Sequence, residues 1–468
     1  MIAAVQAATQ VDPQAGMWAL IKIAAVFAVM VYFVRRGVAI GYVLLLAAVL
    51  LGFGLGVGFT DASGSGLAWA ASGTWNLFVE IVRAATLPDS LRLLCLVLTI
   101  TVFGAVMKHV EKLRELSDAL LALLRDRRWT MASLASVIGL LPMPGGAMVS
   151  APMVGEVARD VGLTREDKTA INHWMRHVWE SVDPLYPGLL AASAILAVPV
   201  TSIMIAQSPL CLASIVGGVV FLLRLVPHHQ RRVGDEAGKR SLMPVIRATA
   251  PVLVVIAAAV VPQGISSAAR AWPRLVEALP GGALWADKGF VQLATEMAML
   301  AALFCVICAL LRANGIRRGE GWRLVRQGVT LKMTALVVSV CVLKEVLKIS
   351  GAVEPIVEFL KSTGLPAPVV IGSVLFVVGM LLGYTFGFVA VGYVMLKPMM
   401  MLPDGSLNYP LAAFAFALGF LGVLLSPVHL CLVLAREHFD AGWGGVYKKL
   451  IGPSFVLFLT AVLLLIWA

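Results

Sequence analysis

The stretch Trp129–Ala158, WTMASLASVIGLLPMPGGAMVSAPMVGEVA, decides how the rest of the chain is read. It is largely apolar and long enough to cross a membrane, yet Pro142, Pro144, Gly145 and Gly146 fall near its centre. Proline removes a backbone donor and glycine relaxes the helix, so the interruption leaves polar backbone groups in need of partners at membrane depth. Such a break persists only where protein or a polar cavity satisfies it. Three further stretches share the pattern. Ile171–Pro199 is interrupted by Asp183-Pro184 and Pro187, Pro366–Pro398 around Gly383-Tyr-Thr-Phe-Gly387, and Leu411–Phe439 by Ser426-Pro427.

The composition sets the medium. Of 468 residues, 60% are hydrophobic and 13% charged, where a soluble chain carries about a quarter charged. The fold class is therefore an all-α polytopic membrane protein, and large extramembrane domains are excluded. The net charge of +11 suits anionic lipid headgroups, and no nucleic acid partner is expected. All six cysteines lie in apolar stretches, so no disulfide framework is expected, and Cys305-x-x-Cys308 lacks a second pair. No Walker-type phosphate loop is present, which argues against ATP hydrolysis within this chain.

The segment up to Gly16 lacks the basic region of a signal peptide, so Met17–Val34 is expected to be a retained first span with the N-terminus outside. Val38–Phe59 follows, then an amphipathic piece near Leu67–Ala84 and a span from Pro88 to Val110. Further spans are expected near Ser202–Val226, Val245–Val261, Phe290–Leu311, Val329–Ile349 and Pro453–Trp467. If Trp129–Ala158 and Pro366–Pro398 are re-entrant hairpins, the chain has about ten transmembrane helices plus two hairpins. Under that assignment 25 Lys and Arg residues, Arg176 among them, fall in inside segments and six in outside ones, the bias expected of cytoplasmic loops. Both termini are then outside, in the cytoplasmic (inner) membrane.

The two halves repeat the same order. Residues 1–86 hold the N-terminal spans and the amphipathic segment. Residues 87–240 form a first repeat, with hairpin 129–158 and broken helix 171–199. Connecting spans occupy 241–328, and 329–468 form a second repeat, with hairpin 366–398 and broken helix 411–439. Ile138-Gly139-Leu-Leu lies on Val378-Gly379-Met-Leu just before the two tips, and Asp183-Pro184 corresponds to Ser426-Pro427. The charge bias gives the halves opposite orientation. Inverted-topology repeats with interrupted helices meeting near the midplane characterise secondary transporters.

The run Leu140-Leu-Pro-Met-Pro-Gly-Gly-Ala-Met-Val-Ser-Ala-Pro-Met153, with Ile171-Asn-His-Trp-Met-Arg-His-Val-Trp-Glu180, Asp183-Pro-Leu-Tyr-Pro187 and Ser426-Pro-Val-His-Leu-Cys-Leu432, resembles an integral-membrane family of unknown function grouped with the ion-transporter superfamily. The resemblance covers most of the chain from Pro88 onward. It implies the fold of sodium-coupled dicarboxylate, citrate and gluconate carriers, and a homodimer. Those carriers often have Ser-Asn-Thr at the hairpin tips, where this chain has Pro-Met-Pro-Gly-Gly and Gly-Tyr-Thr-Phe-Gly.

The candidate solute-binding residues are Pro144, Gly145, Gly146 and Ser150 of the first hairpin, Tyr384, Thr385 and Gly387 of the second, and Asn172, His177 and His429 at the two broken helices. Free amides and the helix dipole at a tip favour an anion, while tip carbonyls favour a cation. A tight turn or glycine packing without a ligand would read the same way. Asp183, Ser181, Glu180 and Ser426 are the candidate ion-coupling residues. At helical spacing His173, Arg176, His177 and Glu180 share a face, where Arg176 and Glu180 can simply pair. His173-x3-His177-x2-Glu180 could present metal ligands, but the set is short of a complete site and no metal is assigned. Glu296 is expected to pair with Lys288, and Lys344, Glu345 and Lys348 to reach the interface.

The expected function is a secondary active transporter, not an enzyme, moving a small anionic organic solute coupled to sodium or protons. No cofactor is expected beyond Na+ as coupling ion. A cation/proton antiporter without organic substrate is the first alternative, and a membrane-embedded metalloenzyme the second.

Overall fold

The computed structural model describes residues 13–59, 65–124, 126–140, 146–159, 161–226, 242–271, 284–285 and 287–467. The described residues are helical, with one isolated bridge between Met401 and Leu407 and no strand. In chain order the first helices are α1 (Pro13–Arg35), α2 (Ile40–Gly54), α3 (Leu67–Thr86), α4 (Pro88–His109) and α5 (Lys112–Leu123). The first hairpin and broken helix follow as α6 (Arg127–Gly139), α7 (Ala147–Val157), α8 (Arg165–Arg176) and α9 (Pro187–Leu196). Next come α10 (Val200–Phe221), α11 (Met243–Ala271), α12 (Lys288–Ala313), α13 (Arg318–Gly328), α14 (Leu331–Ile349) and α15 (Val353–Ser362). The second hairpin and broken helix are α16 (Ala367–Leu382), α17 (Thr385–Phe388), a π turn Val389–Tyr393, α18 (Val394–Leu396), α19 (Tyr409–Leu424) and α20 (Leu430–Phe439), before α21 (Trp443–Ile466).

Among the described residues five helices, α4, α10, α11, α12 and α21, are long and apolar enough to cross a membrane. Their outward apolar side chains, such as Ile205, Phe304 and Phe455, are more than half exposed, as lipid-facing residues are. The last of these begins at Trp443 rather than near Pro453. Pro453 is carried inside the helix because Gly217 of α10 leaves room for it: a Cβ there would stand 3.0 Å from the Pro453 Cα.

The interrupted stretches are short helices. At 1.5 Å per residue, α6 and α7 reach about 20 and 16 Å, well under the roughly 30 Å of bilayer hydrocarbon. Local signals fix their ends. Asp126 accepts from the Arg128 amide to start α6, Thr164 and Asp167 form a capping box for α8, and Asn408 caps α19. Gly383, at φ +61°, ends α16 in the left-handed conformation that glycine adopts freely.

Two pairings differ from expectation. Glu296 bonds Arg92 at 2.9 Å and Gln292 at 3.1 Å, because α12 packs along α4 and brings a guanidinium closer than its own first turn. The Lys344 and Lys397 ammonium groups turn inward onto the end of α9. Lys397 donates to the Ile195 carbonyl at 2.9 Å and Lys344 to that of Ala194 at 3.5 Å, where helix-end carbonyls favour cations. Lys348 pairs with Glu345 at 3.2 Å.

Candidate functional site

The two hairpins and two helix breaks meet. α6 packs against α8 so closely that a Cβ on Gly139 would overlap the Arg176 carbonyl, and α16 packs against α19 so that one on Gly379 would overlap the Gly419 carbonyl. The two glycines aligned in sequence therefore make the same kind of contact. Side chains fasten these joints: Ser136 donates to the Met175 carbonyl at 3.0 Å and Ser426 to the Met380 carbonyl at 2.6 Å.

Between these joints lies a cavity of about 550 Å3. Arg176, His177, Glu180, Tyr384, His429 and Cys431 supply its polar wall, while Val38–Gly41 and Thr330–Leu336 stand at another side. Arg176 ends α8, twelve residues from its start, which carries it about 17 Å from the helix entrance. It thus leaves the inside loop in which the charge count placed it, and is buried against the start of α7. There its guanidinium lies against Gly146 and donates to Cys431 Sγ at 2.9 Å.

Because α8 stops at Arg176, Glu180 does not continue the helical face that would set it over Arg176. It sits in the irregular segment 177–186, where its carboxylate is bonded by His177 Nδ1 and by Thr385 Oγ1 at 2.9 Å. The Thr385 contact ties the first broken helix to the second hairpin. His429 repeats the theme, its Nδ1 donating to the Gly383 carbonyl at 2.8 Å while its Nε2 lies 3.2 Å from His177 Nε2. His173 packs beside both rings, donating from Nε2 to the Leu424 carbonyl at 2.9 Å. One ring nitrogen from each of the three histidines lies within 4.8 Å of the others, a metal-capable group.

The other sequence candidates divide. Pro144 and Gly145 lie outside the described residues. Gly146 caps α7 against Arg176. Gly387 does not form a tip with Gly383: the interruption spans only Gly383 and Tyr384, so Gly387 falls inside α17 and packs on Leu382 and Ile40. Ser150, Asn172, Ser181, Asp183 and Ser426 are buried but stand behind the cavity wall. Asp183 Oδ1 accepts the Leu185 amide at 2.9 Å, while its Oδ2, Ser150 Oγ and both Asn172 amide atoms are buried without a partner among the described residues. Arg176, Tyr186 and Cys431 were missed as wall residues. Cys431 sits inside the quoted motif Ser426–Leu432, but a cysteine in an apolar run reads as packing until its partner is known.

These features define a helical multi-pass membrane protein with a largely apolar cavity, one wall of it polar, among interrupted helices. The chain belongs to the family described as protein of unknown function (DUF401), which matches it in two segments, residues 63–261 and 290–467. None of the curated proteins matches it.

Proposed function

We propose that the protein is a secondary active transporter that moves a small organic anion through the cavity, with the hairpins and broken helices forming two inverted repeats. The observation that carries the reading is the Arg176 guanidinium, which lies against Gly146 at the start of α7 and lines the cavity together with the N-terminus of α20. Helix N-termini and a guanidinium together favour an anionic group. An ionisable side chain at membrane depth costs several kcal/mol unless it has a use or a partner.

Asp183 serves the coupling ion. One of its oxygens is buried unpartnered, a state that needs a proton or a cation to complete it. The cavity is lined on one side by Val38–Gly41 and by Thr330, Lys332 and Met333, which lie close in sequence to the basic segments at Arg35-Arg36 and Arg312–Arg326. By the positive-inside bias this is the cytoplasmic side, so the site faces inward, with both termini outside the inner membrane and a homodimer as the working unit.

The test is the thermal stability of the detergent-purified chain across a panel of small organic anions, each with sodium or potassium. A ligand at 100 times its Kd raises stability by about 2.7 kcal/mol. A sodium-dependent shift for one anion, lost in Arg176→Gln, supports the reading; no shift with any anion counts against it. Two buried carboxylates three residues apart, Glu180 and Asp183, favour the cation/proton antiporter as a second reading, which predicts sodium or pH effects without a solute response.

A further inference from the structure

We propose that His173, His177 and His429 bind one divalent transition-metal ion of the zinc class, with a coordination position left open towards the cavity. The argument rests on which nitrogen of each ring is committed. A carbonyl oxygen only accepts, so the hydrogen on His429 is at Nδ1, facing Gly383, and that on His173 is at Nε2, facing Leu424. The Glu180 carboxylate accepts from Thr385 and takes His177 Nδ1–H as well. What remains is one lone pair per ring: Nδ1 of His173, Nε2 of His177 and Nε2 of His429.

Two of these lone pairs face each other at 3.2 Å, an arrangement that repels unless a cation lies between them. The third, His173 Nδ1, is buried with no partner among the described residues. A shared proton would join the first two nitrogens and leave the third orphaned, whereas a metal ion uses all three. The spacing agrees. Two nitrogens about 2.0–2.1 Å from a tetrahedral ion stand roughly 3.3 Å apart. One nitrogen of each ring lies within 4.8 Å of the others, so the widest pair closes by up to about 1.5 Å to reach that geometry.

The outer contacts follow the pattern of metal-binding histidines, whose second nitrogen is held by a carboxylate or a backbone carbonyl. Neutral imidazoles are borderline ligands that suit zinc and its first-row neighbours. Cys431 lies against His177 and His429 on the cavity side, at the edge where a fourth ligand or an anionic group would enter. Nothing in this assignment requires that the cavity carry a solute.

The test uses the full-length protein in detergent, stripped with a chelator that is then removed, and titrated with Co2+ alone. One equivalent per chain should bind and give the visible d–d bands of a four-coordinate ion, displaced by Zn2+. His429→Asn and His173→Asn should abolish the bands, and Glu180→Gln, which frees the far nitrogen of His177, should weaken Co2+ binding about 10–100-fold. His109→Gln should leave them unchanged. Wild-type protein that gives no bands and retains no metal overturns the proposal, as do bands that persist in His429→Asn or disappear in His109→Gln. Because the readout is optical on the wild-type chain, misfolding of a variant does not rescue a negative result. Failure here is also distinct from failure to find a transported anion.

Discussion

Glu180 is the residue on which the most depends. It lies buried between His177 and Thr385, partners that come from different halves of the chain. Hydrogen bonds to a buried charge contribute about 1.5–3 kcal/mol each, so Glu180→Gln, which keeps shape and loses charge, should lower unfolding stability by about that amount in a thermal or denaturant assay. Thr385→Val, removing one of the donors, should cost less. Asp183 behaves differently because its donor among the described residues is the Leu185 amide, which an asparagine oxygen also accepts. Asp183→Asn is expected to fold and to bind solute while losing the sodium dependence of that binding; unchanged sodium dependence would remove Asp183 from the coupling role. Sequence patterning found both carboxylates because ionisable groups are scarce in apolar runs. It put Asp183 first for its place beside Pro184, and it could not see the contacts of Glu180 and His177, since Thr385 and His429 lie 205 and 252 residues from the groups they touch.

At the level of elements, the interruptions were legible because proline and glycine act locally. Gly383 ends α16 as expected, Pro187 opens α9, and the arms of the first hairpin are helices too short to span a bilayer. The helix ends that moved did so for tertiary reasons. Pro453 was tolerated opposite Gly217, and Gly387 became a packing residue against Leu382. The hairpin arms depend on glycine more than the outer helices do. Gly139→Ala and Gly379→Ala each drive a methyl into a backbone carbonyl of the neighbouring broken helix, and overpacking of this kind costs about 1–3 kcal/mol. Gly264→Ala in α11 meets open space and should be neutral or gain up to about 1 kcal/mol from helix propensity. Equal effects at all three positions in thermal unfolding would show that the arms are not set by these contacts.

The arrangement of the whole molecule is where charge patterning reaches furthest and where a direct measurement discriminates best. Inverted repeats require the loop after α12, around Arg318, to lie on the cytoplasmic side and the turn between α18 and α19, around Ser406, on the other. Both positions flank the cavity-forming elements: α13 leads into α14, whose first residues line the cavity, and the turn follows the second hairpin. Cysteines placed singly at Arg318 and Ser406, in a chain whose exposed Cys95 and Cys305 are replaced by serine, report the two sides independently. In intact cells a membrane-impermeant maleimide should label Ser406→Cys at once and Arg318→Cys only after permeabilisation. Labelling of both from one side would mean that Pro366–Pro398 crosses the membrane as a full span instead of turning back. The second hairpin and the inverted repeat would then fall, and if that side is the outer one the inward-facing reading of the cavity, which depends on Thr330–Met333 lying at the cytoplasmic end, falls as well.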